Sequence, residues 1–111
     1  ANVLNKPDTI STLAGVKVYR ALLDQAGNNA PVATVLENSL GGEIEWTYDD
    51  VGMYIGTLAN AFPPNKTFIY CNSNTIGSTV GIEIYTDSNF YIYAIDDNQI
   101  HNGIIEILVY P

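Results

Sequence analysis

The sequence predicts an all-β domain, a single antiparallel β-sandwich of about eight strands, jelly-roll-like in its connections. Three observations lead there. Short runs alternate with a period of two, most clearly Glu43-Ile44-Glu45-Trp46-Thr47-Tyr48, Gly81-Ile82-Glu83-Ile84-Tyr85-Thr86 and Phe90-Tyr91-Ile92-Tyr93-Ala94-Ile95. Alternation of this kind sends one set of side chains to a core and the other to water or a partner. Clusters of Gly, Pro, Asn, Asp and Ser separate these runs, and those residues favour turns. No stretch carries the apolar period of a helix.

The elements follow in order. Residues 1–14 are polar and mixed, with Pro7 and no clear period. They read as an N-terminal arm or a loosely attached first strand, either frayed or docked on a neighbouring subunit. The sandwich proper is expected over residues 15–111. Residues 16–23 alternate, with Val16, Val18, Arg20 and Leu22 on one face and Lys17, Tyr19, Ala21 and Leu23 on the other. A helix is conceivable for 19–23, but Gly15 before the run and the turn after Asp24 favour a strand. Residues 25–31 form a turn, and 32–36 a second strand. Gly41-Gly42 ends the next loop, 43–48 is the third strand, 49–52 a tight turn, and 53–58 the fourth, so the third and fourth form a hairpin. Pro63 and Pro64 stiffen the following loop, since Pro is excluded from central strands. Residues 67–71 make the fifth strand and 72–77 a loop. Residues 79–86, 90–95 and 104–110 make the sixth, seventh and eighth. The short turn 87–89 pairs the sixth with the seventh, and 96–103 is the last loop.

At 111 residues one domain is expected, large enough for an ordinary core. The hydrophobic share of 47% argues against disorder. The charged share of 14% is well below the usual ~25%, so the surface depends on Asn, Ser, Thr and Tyr, or is partly covered by neighbours. The net charge is −8 and the only fixed cations are Lys6, Lys17, Arg20 and Lys66, scattered along the chain. Nucleic acid is disfavoured, because tracking a phosphate backbone needs clustered Lys and Arg. Anionic membrane surfaces are disfavoured for the same reason. A single cysteine, Cys71, rules out an intrachain disulfide and makes cytosolic folding the simplest case. Ala1 fits removal of an initiator Met, or a trimmed fragment.

Candidate chemistry is thin. His101 is the only histidine, lies in a polar loop, and would have to serve any Ser–His–Asp or Cys–His arrangement; a lone loop histidine is usually a solvated side chain. One His and one Cys supply no typical zinc set. Cys71 closes an apolar run and reads as a small buried hydrophobe. Asp49, Asp50, Asp96 and Asp97 are weak calcium candidates in oxygen-rich loops, though Asp and Asn also serve turns directly. No catalytic residue and no cofactor are expected. The aromatic residues carry more. Trp46 and Tyr48 share a face with Ile44, and Tyr91 and Tyr93 share a face opposite Phe90 and Ile92. These four are the interface candidates: one aromatic face per strand belongs to the core, and a second would grip a subunit or a carbohydrate.

One series of residues resembles a known family. Residues 16–25 (VKVYRALLDQ) run into residues 30–42 (APVATVLENSLGG), followed by Trp46-Thr47-Tyr48, Gly52-Met53-Tyr54, Gly56-Thr57-Leu58 and Lys66-Thr67. The series is similar to a small domain of virion proteins in phages and prophages of Bacteroidota. The likeness spans about residues 16–71, with an echo at 105–110, and 30–42 is its specific part. The resemblance implies a non-enzymatic virion protein, such as a head decoration, a spike or fibre piece or a tail subunit, assembled in the bacterial host cytoplasm. Its implied partners are copies of itself, as a trimer in a spike or fibre, and other virion proteins. A host-surface glycan held on exposed aromatic rings is the alternative. The resemblance transfers no catalytic residues.

Overall fold

A computed structural model describes residues 15–73 and 79–111. The N-terminal arm (1–14) and most of the 72–77 loop lie outside the described residues. Eight strands follow one another: β1 (Lys17–Asp24), β2 (Val32–Asn38), β3 (Glu45–Asp50), β4 (Met53–Thr57), β5 (Thr67–Asn72), β6 (Val80–Thr86), β7 (Asn89–Ala94) and β8 (Gly103–Val109). They form two four-stranded antiparallel sheets, one ordered β2-β1-β8-β5 and the other β3-β4-β7-β6. The sandwich and its strand number are as the alternation predicts. Three connections, β1–β2, β3–β4 and β6–β7, are hairpins within a sheet and the other four cross between sheets. That order does not by itself make the sandwich a jelly roll.

Each inner face is written in the alternation. In the first sheet Tyr19 stands opposite Ile107, which stands opposite Ile69; Ala21 stands opposite Ile105, which stands opposite Cys71. In the second sheet the inner rows are Trp46, Gly56, Phe90, Ile84 and Tyr48, Tyr54, Ile92, Ile82. These rows, with Phe62 and Ile100 from loops, make one hydrophobic cluster. Tyr19, Leu23, Tyr54, Phe62, Phe90, Ile92, Ile105 and Ile107 are fully buried, and burying a side chain of this size contributes about 1.5–3 kcal/mol.

Two glycines shape the second sheet. A Cβ on Gly56 would come within 2.4 Å of the Phe90 ring, so the absent side chain is the space that ring fills. Phe90 there meets Trp46 and Phe62 edge-on, with ring centroids 5.6 and 5.1 Å away. Gly52 turns the β3–β4 hairpin at a φ of 69°, and a Cβ would meet the Ala94 carbonyl oxygen at 2.3 Å. At one end of the sandwich Gln25 joins three segments. Its amide donates to the Gly27 and Asn29 carbonyls, and its Oε1 accepts from the Asn98 N–H and faces the Tyr54 hydroxyl.

Candidate functional site: two outward sheet faces

The four aromatic interface candidates separate by face. Trp46 and Tyr48 point inward and pack against the core. Tyr48 also donates from its hydroxyl to Asp97 Oδ2 at 2.7 Å, which pushes its phenol up to about 12. The buried Trp46 N–H interacts with the Tyr19 hydroxyl without a well-formed hydrogen bond. Tyr91 and Tyr93 lie on the outer face of the second sheet. Their rings stack on one another at 5.7 Å and 11°, and Tyr85 meets Tyr91 edge-on at 5.7 Å. The Tyr93 hydroxyl donates to Glu83 Oε1, a bond that raises its pKa. Stacked rings cover one another's faces, so the open ring of this group is Tyr85, 65% exposed.

The acidic loops serve the backbone. Asp97 Oδ1 accepts the Gly52 N–H at 2.9 Å and lies 2.9 Å from the Tyr54 hydroxyl. The Gly52 amide, with the two tyrosine hydroxyls, holds the Asp97 carboxyl below its ordinary range. Asp50 and Asp96 each accept the N–H of the next residue. Asp49 occupies the irregular step of the β3–β4 pairing. Among the described residues no group of three His, Cys, Asp or Glu side chains converges as metal ligands would.

His101 has a partner that sequence separation concealed: its Nδ1 lies 3.4 Å from Asp24 Oδ1. Ser73 is near as well, which places the three residue types of a hydrolytic triad in one corner. The connections are different from a triad's. Ser73 Oγ accepts from the His101 backbone N–H at 3.2 Å and donates to the Gln99 carbonyl. In a triad the serine hydroxyl gives its proton to the imidazole. Cys71 is buried, and burial pushes its thiol up to about 12.

The outer face of the first sheet holds residues the sequence reading passed over. An antiparallel sheet usually turns polar residues to water. Here Leu22, Ile104, Phe68 and Tyr70 are 40%, 51%, 52% and 48% exposed on one surface, and Leu36 on β2 is 65% exposed. Leu22, Leu36, Tyr70 and Ile104 line an open groove with Arg20 and Glu106. Across it runs an ion triad: Arg20 Nε to Glu106 Oε2 at 2.6 Å and Arg20 Nη1 to Glu37 Oε1 at 2.6 Å. Both carboxylates, Glu106 foremost, hold the guanidinium above its ordinary pKa. Only the strand order could have revealed this triad, because its acids lie 17 and 86 residues from Arg20 in sequence.

No family model matches the chain, and no curated protein or solved structure matches it either.

Proposed function

We propose that this chain is a non-enzymatic structural subunit, a component of a phage particle, that acts by packing against copies of itself and against neighbouring particle proteins. The observation that carries the assembly role is the apolar outer face of the β2-β1-β8-β5 sheet, where Leu22, Ile104, Phe68 and Tyr70 stand on one surface. Exposed apolar side chains gathered on one sheet face mark interaction sites, and the low charged share of 14% fits a surface partly covered in use. The placement in a virion rests on the sequence resemblance over residues 16–71, and threefold symmetry is its expectation for a spike or fibre. Native mass spectrometry over a rising concentration series tests the assembly role: oligomers that grow with concentration support it, and a chain that stays monomeric at millimolar concentration contradicts it.

A second reading is favoured by Tyr85, whose exposed ring adjoins Tyr91 and Tyr93. Exposed aromatic rings can stack on sugars. A glycan array would show binding that Tyr85→Ala abolishes; an array blank for the wild-type chain removes this reading.

A further inference from the structure

The outer face of the β2-β1-β8-β5 sheet is arranged in cross-strand rows. One row reads Glu37, Arg20, Glu106, Tyr70 across β2, β1, β8 and β5. The next reads Thr34, Leu22, Ile104, Asn72. On the other side of the charged row lie Val18, Leu108 and Phe68. The first two rows complement their own reverse. Turned end for end, the first puts Glu37 against a tyrosine hydroxyl and Arg20 against a glutamate. The second puts Thr34 against Asn72 and Leu22 against Ile104.

We propose that this face binds the same face of a second copy about a two-fold axis that lies between the two sheets, parallel to the strands and midway between β1 and β8. This deepens the assembly role proposed above and rests on it. The sheet has two strands on either side of that line, so β1 of each copy covers β8 of the other and β2 covers β5. Arg20 then meets the partner copy's glutamate at position 106, Leu22 meets its isoleucine at position 104 and Val18 its leucine at position 108, and the contact is isologous. The charges select the axis. A two-fold axis across the strands through the same row would set Arg20 on Arg20 and Glu106 on Glu106, and like-charge juxtaposition disfavours such an interface. The contact joins two copies and can stand alone or recur within a dihedral assembly.

The test is a mixing experiment followed by sedimentation velocity. Arg20→Glu leaves a face with carboxylates alone in the charged row, and Glu106→Arg adds a second guanidinium. Each variant by itself is expected to dimerise about 100-fold more weakly than wild type. Mixed in equal amounts, they are expected to form a heterodimer, because the carboxylates at positions 20 and 106 of one copy face guanidinium groups at positions 106 and 20 of the other. A mixture no tighter than the separate variants overturns the proposal. So does wild-type dimerisation that survives both changes but is lost in Tyr85→Asp, a result that moves the contact to the other sheet and leaves the assembly role standing. A wild-type chain that never associates overturns both. Circular dichroism of each variant checks folding first. Should a charge variant not fold, Ile104→Asp, which keeps the triad, is expected to weaken association at least about tenfold; association at wild-type strength in that variant overturns the proposal.

Discussion

At the scale of single residues, the end of the sandwich near Gln25 is where the chain is most finely specified. The buried Tyr54 hydroxyl stands 2.8 Å from Gln25 Oε1 and 2.9 Å from Asp97 Oδ1, so its one proton serves two acceptors. Tyr54→Phe leaves both without it, and the expected loss is about 1–3 kcal/mol of unfolding free energy, read by urea denaturation. Asp97 gives the same corner a pH dependence. Its folded-state pKa lies below the unfolded value, so its contribution to stability is present above the unfolded pKa and lost as pH falls through the folded one. The denaturation midpoint of the wild type is therefore expected to drop more between pH 6 and strongly acidic buffer than that of Asp97→Asn; equal drops would mean that Asp97 does not act this way. Cys71 makes a separate prediction. With its thiol at about 12 and buried, alkylation by iodoacetamide near pH 8 is expected to be more than about a thousand-fold slower in the folded chain than in denaturant. Mass spectrometry of a time course reads this directly. The contacts of this corner are not visible in sequence, where Gln25 looks like an ordinary turn residue and Asp97 like a turn residue or a weak calcium candidate.

At the scale of elements, most strands were legible because they alternate cleanly, β2 with its bulged pairing to β1 being the exception. Phe90 and Ile92 turn inward while Tyr91 and Tyr93 turn outward, as a period of two requires. The hairpins were legible too, from the turns at 49–52 and 87–89. The partner of each hairpin was not. Pairing of β1 with β8 and of β4 with β7 joins segments far apart in the chain, and local pattern carries no information about which strands meet. That gap explains the uneven fate of the aromatic candidates. Trp46 and Tyr48 share their face with buried Ile44, which already pointed to the core, but only the position of β3 across from the first sheet's inner face makes them part of it. Gly52 tests the β3–β4 element. It combines a positive φ with a Cβ position occupied by the Ala94 carbonyl, so Gly52→Ala is expected to cost at least about 2 kcal/mol. Thermal denaturation checks it; a change under half that size would mean that the turn and the neighbouring β7 end yield more easily than the packing implies.

At the scale of the whole molecule, the two sheets spend their inner faces on one core and differ in what they show outside. The β3-β4-β7-β6 sheet ties its outer tyrosines to one another and to Glu83. The β2-β1-β8-β5 sheet leaves leucine, isoleucine, phenylalanine and tyrosine open around one ion triad. An exposed triad of this kind adds little to a monomer, because solvent screens it. Covered by a like face, the same groups fix orientation, which is why the charged row is better understood as a specifier of contact than as a source of fold stability. Small-angle X-ray scattering across a dilution series is the most direct measurement of that account. The forward scattering is expected to double from dilute to concentrated solution, while the cross-section thickens from two sheets to four at about 10 Å per sheet spacing. Scattering that stays monomeric throughout, or that doubles by lengthening the particle at constant thickness, would contradict it.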